Sequence, residues 1–307
     1  MCQHEPVKIR VGYGLGVRTS LNDSGFLDVV DALERLRFDS LWLSERISGE
    51  APDPLVAMSF AAARTTKLEF GMSVMVLPGR NPVVLAKELA TLDRMSNGRL
   101  LPAFGLGVAD PVEQQAFGVE RSQRAKMFNE ALEVVRACWT QESVTFEGQY
   151  YRYENLRVEP KPRQNPPEVW LGGIAESELK RVGRLSDGWL PSFVTPEDAA
   201  AGWKVVNEVA AEHGRSIDPE HFGVLIPYSV GPAPERVLAG LRARRPDLDD
   251  ITRIVPQSWQ QLVDNIGRFT EVGASKFVVI PMVEPGSPAE WVAHLEDAAA
   301  VLQPLQN

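Results

Sequence analysis

Short apolar runs alternate along most of the chain with longer segments whose apolar residues recur every three or four positions. The first pattern suits strands buried on both faces of a parallel sheet, and the second suits helices with one face on a core. Strands are predicted at Ile9–Gly16, Ser40–Ser44, Glu69–Leu77, Leu100–Gly107, Glu168–Gly172, Gly188–Pro191, Val224–Val230 and Phe277–Pro281. Helices are predicted at Phe26–Leu36, Pro54–Arg64, Pro82–Ser96, Arg124–Trp139, Ser177–Leu185, Pro196–His213, Pro234–Arg244 and Trp259–Val272, with Pro288–Leu302 as a closing amphipathic stretch. Such alternation is the signature of parallel βα units. Eight of them favour a closed (β/α)8 TIM barrel of the α/β class over an open doubly wound sheet.

The stretch Glu69–Leu100 contains one whole unit. Gly71 to Leu77 is an apolar run that stops at Pro78 and Gly79. Asn81 is placed to cap the next helix, Pro82 to start it with φ already set, and Gly98 to end it. Leu85, Leu89 and Leu92 give that helix its apolar stripe. The rhythm breaks at 140–167, where Val144, Phe146, Tyr151 and Tyr153 around Glu147 and Gly148 predict a hairpin before the fifth strand, and Pro160 to Pro167 leads back to the barrel.

A chain of 307 residues is within the range of a single barrel with insertions, so one domain over 1–307 is expected. With 44% hydrophobic and 24% charged residues it has the make-up of an ordinary globular protein, disorder being expected only in the first five residues. A formal net charge of -9 repels phosphate backbones and anionic lipid, which makes nucleic acid and membrane poor partners and a small molecule the expected one. Two cysteines, Cys2 and Cys138, make no disulfide framework, and a cytoplasmic setting fits. No basic start with an apolar block and no apolar run of membrane-spanning length is present, so neither secretion nor a helical span is expected. His4, His213, His221 and His294 are scattered without metal-ligand spacing, and no metal is predicted.

Chemistry in such barrels belongs at the C-terminal strand ends. Gly172 and Gly173 end the fifth strand, and a helix opens near Ala175 to Ser177, so backbone N–H groups and the positive helix end can hold a phosphate there. Glu176 and Glu178 weaken the electrostatic side of that case. Gly105, Leu106 and Gly107 allow close backbone approach to a ligand, or mark only a tight turn. Gly12 and Gly14 either leave room for a ring system or mark a bend. Glu113 is expected in a solvated first turn of a helix, and surface salt bridges are the default for Arg121 and Arg124. Hydrolase, P-loop and dinucleotide-binding fingerprints are missing.

The wording of 69–100, with Arg80-Asn81-Pro82, the helix Leu85 to Ser96 and the re-entry Gly98-Arg99-Leu100, closely resembles the bacterial luciferase-like family of flavin- and deazaflavin-dependent oxidoreductases. The likeness runs from the first strand to the strand near Phe277 and looks most like the deazaflavin (F420)-dependent members. It implies a phosphate turn at Gly172, Gly173, Ile174 and Ala175 and a non-proline cis peptide within Ser73, Val74 and Met75. Residues alone would make those three plain core strand. Gly14, Gly107 and Val108 are further candidate cofactor contacts, and the likeness implies a hairpin that often lies over the barrel mouth, and a homodimer. Ser44 and Glu45 replace the Asp-His pair common in deazaflavin-using relatives, so Glu45 is either a half-buried acid or base beside the ring, or is paired with Arg46 or a neighbour. Val108 replaces the glutamate of the glucose-phosphate-oxidising branch, which disfavours that substrate. The resemblance thus implies hydride transfer between F420 and a small organic substrate. An FMN-dependent monooxygenase and a non-catalytic flavin- or deazaflavin-binding protein are the alternatives.

Overall fold

The computed structural model describes residues 8–21 and 23–307, so Cys2 and His4 lie outside the described residues. Elements follow in the order β1 (Arg10–Leu15), α1 (Asp23–Arg35), β2 (Ser40–Leu43), α2 (Pro54–Arg64), β3 (Glu69–Met72), β4 (Met75–Val76), α3 (Pro82–Met95), β5 (Leu100–Leu101), β6 (Ala103–Gly105), α4 (Pro111–Phe117) and α5 (Arg124–Thr140). Then come β7 (Val144–Glu147), β8 (Arg152–Leu156), β9 (Trp170–Leu171), α6 (Glu176–Leu185), β10 (Gly188–Trp189), α7 (Pro196–Glu212), β11 (Gly223–Tyr228), α8 (Glu235–Arg244), α9 (Trp259–Glu271), β12 (Lys276–Pro281) and α10 (Pro288–Leu302).

Parallel pairing runs β11-β12-β1-β2-β3-β5 in one sheet and β10-β9-β6-β4 in another. Two of the predicted strands are each split in two. Pro102, which has no N–H to give the ladder, separates β5 from β6, and the cis Ser73–Val74 bond separates β3 from β4. Parallel bridges Trp189–Phe222 and Ser192–Leu225 join β10 to β11 and complete the ring. Among the described residues this makes eight parallel staves, the TIM barrel expected from the alternation.

Trp42, Trp170, Leu101, Ala103, Leu190, Leu225 and Val278 fill the interior, and the much larger outer core lies between staves and helices. The two tryptophans meet edge to face at 6.3 Å. They fit because glycines face them. A Cβ at Gly71 would strike the Trp42 ring, and one at Gly188 would come within 2.6 Å of Trp170. Gly12 likewise faces Ser40 and Trp42, so the room it leaves is taken by the interior and not by a ligand.

Asn81 accepts from Val83 and Val84 N–H, Pro82 opens α3, Gly98 has φ +82°, and Leu85, Leu89 and Leu92 are buried, as the sequence predicts. The polar residues of this segment are ties. Asp93, fully buried, accepts from Arg163 and Gln164 N–H and so anchors the Pro-rich run. Arg99 donates to Ala62, Thr65, Leu68 and Ser96 carbonyls and lies 4.9 Å over the Phe70 ring. Lysine cannot reproduce that fork. Arg99→Lys is expected to lower unfolding free energy by about 2 kcal/mol, measurable by urea denaturation, and an unchanged midpoint would refute this role.

The predicted hairpin forms from β7 and β8. None of its residues lines the cavity at the C-terminal ends of the strands. Glu130 of α5 accepts from Gln149 and Tyr150 N–H, and Tyr151 Oη donates to the Arg80 carbonyl, which holds the hairpin against the outer wall. Helix α4, for which the sequence predicts only a first turn at Glu113 and no bounds, is short, with Asp110 capping it and Gly118 closing it in the left-handed conformation.

Candidate active site

A cavity of about 1250 Å³ opens at the C-terminal ends of the staves. It exceeds the roughly 300–1,000 Å³ of a typical small-ligand pocket, which leaves room for a large cofactor and a substrate together. Ser44, Glu45, Ser73, Val74, Gly107, Val108, Gly172, Gly173 and Ile174, all singled out from the sequence, line it. Gly14, Met75 and Ala175 do not line it. Gly14 looks into the barrel, where a Cβ would lie 3.3 Å from Val278 and Ile280; Met75 is fully buried in the outer core, and Ala175 is the exposed cap of α6.

Glu45 is tied down. Its carboxylate accepts from Val76 N–H at 2.7 Å and is paired with Arg80, whose Nε also donates to the Val76 carbonyl. Its partner is therefore Arg80 of the loop before α3, and not Arg46. Burial pushes the Glu45 carboxyl above the usual range, against the opposing effects of Val76 N–H and Arg80. Ser44 and Ser73 Oγ lie 3.3 Å apart, so the end of β2 is held to the break between β3 and β4 from both residues.

Glu113 does not lie in solvent. It is buried, accepting from Ile47 N–H and from Ser48 N–H and Oγ, and it lies beside Arg46, which also pairs with Asp110. Burial alone would raise its pKa, but these donors hold it below the ordinary glutamate value. The loop after β2 is thereby fastened to α4.

Among the described residues Arg124 makes no salt bridge. One guanidinium nitrogen donates to the Leu106, Gly107 and Val108 carbonyls, fixing the glycine turn after β6, while Nε is buried without a partner. Arg181 of α6 lies 5.7 Å from the Phe128 ring, and its Nε is also buried and unpaired. Both arginines line the cavity. Burial lowers the pKa of each, which reflects cations held where solvent serves them poorly.

At the start of α6, Gly173 has φ +101°, and Glu178 accepts from Ile174 and Ala175 N–H at 3.0 Å each. The donors anticipated for a phosphate are thus already met by the chain's own carboxylate. Arg181, one turn on, offers a cation beside them.

A family model described as "luciferase-like monooxygenase" matches residues 14–295, and the chain belongs to that family. An F420-dependent glucose-6-phosphate dehydrogenase of Kineococcus radiotolerans is 32% identical over 167 residues, 51% of this chain and 49% of that protein. The match thus spans about half the length of this relative. Two solved structures share the fold over nearly the full length. An F420-dependent secondary alcohol dehydrogenase, in complex with an F420-acetone adduct, has a TM-score of 0.80 at 21% identity, covering 98% of this chain and 100% of that one. The FMN-bound oxygenating constituent of 3,6-diketocamphane monooxygenase from Pseudomonas putida has a TM-score of 0.81 at 18% identity, covering 98% and 99%.

Proposed function

We propose that the protein is an oxidoreductase that transfers a hydride between F420 and a small organic substrate, with the chain acting as one luciferase-like unit. The observation that carries this reading is the cavity, lined by Gly105, Gly107, Gly172 and Gly173 and by the half-buried Arg124 and Arg181, each with a buried Nε that has no partner among the described residues. Those residues fit a flat ring bearing an anionic side chain. Ser73, Val74, Gly107 and Val108 would border the ring, and Gly172 to Ala175 with Arg181 would take the phosphate. When bound, the deazaflavin supplies or accepts the hydride. The chain's own part is to fix the ring and to hold the substrate against it. Glu45 serves here as a positioning residue, because both its oxygens are engaged with the strand end it supports. Glucose 6-phosphate is disfavoured, Val108 being unable to exchange a proton.

A second reading, an FMN-dependent monooxygenase, is favoured by the FMN-bound structural neighbour. Anaerobic reduction of F420 by alcohols, set beside oxygen uptake with reduced FMN, separates the two. Cytoplasmic location and a homodimer belong to this proposal as well; among the described residues, no helix is long and apolar enough to cross a membrane.

Glu178 should tune affinity for the cofactor's phosphate. Removing its charge frees the Ile174 and Ala175 donors, so Glu178→Ala is expected to bind F420 about tenfold more tightly, roughly 1.4 kcal/mol. The phosphate-free deazaflavin chromophore should bind both proteins equally. Weaker F420 binding in the variant would show that Glu178 assists the turn instead of competing with it.

A further inference from the structure

Hydride transfer to a carbonyl carbon, or from the corresponding alcohol, needs a partner for the proton, and few groups in the cavity can be one. Among the described residues that line it there is no histidine, tyrosine, cysteine or lysine. His221 pairs with Glu168 near the start of β9, and His294 bonds Tyr228 beneath α10. Carboxyls remain. Glu45 is committed to Val76 and Arg80, Glu113 to Ile47 and Ser48, and Glu178 to Ile174 and Ala175, while Glu50 is exposed.

Glu284 differs from all of them. It stands three residues beyond β12, half-buried on the cavity wall, and accepts one hydrogen bond, from Thr19 Oγ1 to Oε1 at 2.7 Å. Its other oxygen has no hydrogen-bond partner among the described residues. Gly16 lines the same wall, and a Cβ there would make ordinary contact with Oε1 at 3.4 Å. Ile280 and Met282 add apolar wall beside it.

We propose that Glu284 is the general acid–base of the reaction, serving a substrate that is interconverted between an alcohol and a carbonyl compound. This rests on the hydride-transfer reading above. In the oxidative direction the substrate C–H bond breaks, with its hydride going to the oxidised deazaflavin, while the O–H proton goes to the Glu284 carboxylate and the C=O bond forms. In reverse, the protonated carboxyl returns its proton to the oxygen as the carbon receives hydride from the reduced deazaflavin.

The surroundings suit that duty. Burial raises the Glu284 pKa; Thr19 Oγ1 and Arg18 oppose this, and Glu50 adds to it, with Tyr13 the other titratable neighbour. Reduction, which needs the acid, should fall as pH rises through the raised value, and oxidation should rise over the same interval. Glu50→Gln removes a like charge and should move both profiles to lower pH, whereas Arg18→Gln should move them higher. A purely structural carboxylate would not impose these opposite shifts.

Full-length wild type, Glu284→Gln and Thr19→Val should be compared by three readouts. The first is infrared titration of protonated carboxyl groups without cofactor, the second F420 binding by fluorescence, and the third kcat/KM against pH with 2-propanol, 2-butanol and cyclohexanol and their ketones. We expect a carboxyl band titrating above the ordinary glutamate value, lost in Glu284→Gln and moved to higher pH in Thr19→Val. We further expect unchanged F420 binding in Glu284→Gln and a fall in kcat/KM of about 100-fold or more. Absence of that band, or turnover by Glu284→Gln within about threefold of wild type across the pH range, would overturn the assignment. Wild type that binds F420 yet turns over none of the six compounds would overturn the carbonyl class. Failure to bind F420 at all would instead remove the hydride-transfer reading on which this rests, leaving the infrared result to stand by itself.

Discussion

Lys276→Ala is expected to lower unfolding free energy by about 3 kcal/mol or more. Lys276 opens β12 at the N-terminal end of the barrel, 2% exposed, with Nζ 2.6 Å from Asp39 and 2.9 Å from Glu69. Ser40 Oγ also donates to Asp39. Removing the ammonium leaves the Asp39 carboxylate, 18% exposed, beside that of the more exposed Glu69 with no cation between them, which costs more than the ion pairs themselves contribute. Lys276→Ala combined with Asp39→Asn should therefore recover part of the loss. Charges set the pH window. Burial opposes the charged lysine, but Asp39 and Glu69 raise its pKa overall, so its contribution holds below the ordinary lysine value and fades as pH rises through the folded one. Burial likewise opposes the charged Asp39, yet Lys276 holds its pKa below normal, so that contribution is present above the ordinary aspartate value and lost as pH falls through the folded one. Urea denaturation of the three proteins across pH measures both effects. A single variant as stable as wild type would show that the interior tolerates the unpaired carboxylates.

Gly173→Val should reduce F420 affinity about 100-fold, equivalent to roughly 2.7 kcal/mol. Two observations combine here. The residue has φ +101°, where a β-branched side chain is strained, and a Cβ would stand 2.7 Å from the Glu178 Cβ, closer than real contacts allow. Either Glu178 or the turn must move, and the Ile174 and Ala175 N–H groups move with it. Binding of the phosphate-free chromophore should fall far less, because the wall proposed for the ring at Val74 and Gly107 is untouched. Thermal unfolding of the variant provides the control for general damage. Equal losses for the two ligands would place the phosphate elsewhere in the cavity.

The barrel was legible in the sequence because each of its parts is encoded locally. Asn81, Pro82 and Gly98 start and stop α3 through their own backbone preferences, and the apolar runs of β1, β2, β11 and β12 are long enough to stand out. Pro102 was a readable sign that the fourth stave is interrupted, since proline has no donor for a ladder. The ties that build the cavity rim were not legible. Glu45 finds Arg80 thirty-five positions away, and Ile47 finds Glu113 sixty-six away. Nothing in local spacing specifies such pairs. Arg181 and Glu284 were missed for different reasons. Arg181 looks like any exposed helix cation until Phe128 of α5 is placed against it. Glu284 had a usable signal, a carboxylate just past the eighth stave, which is where barrel chemistry is expected.

Parallel fluorescence titrations of the purified full-length protein with F420 and with FMN test the central claim most directly. The account predicts saturable F420 binding at least about tenfold tighter than FMN binding, a difference of roughly 1.4 kcal/mol, and weakened by Gly173→Val. Tighter binding of FMN, together with oxygen uptake when that flavin is reduced, would contradict it and make the protein a flavin monooxygenase.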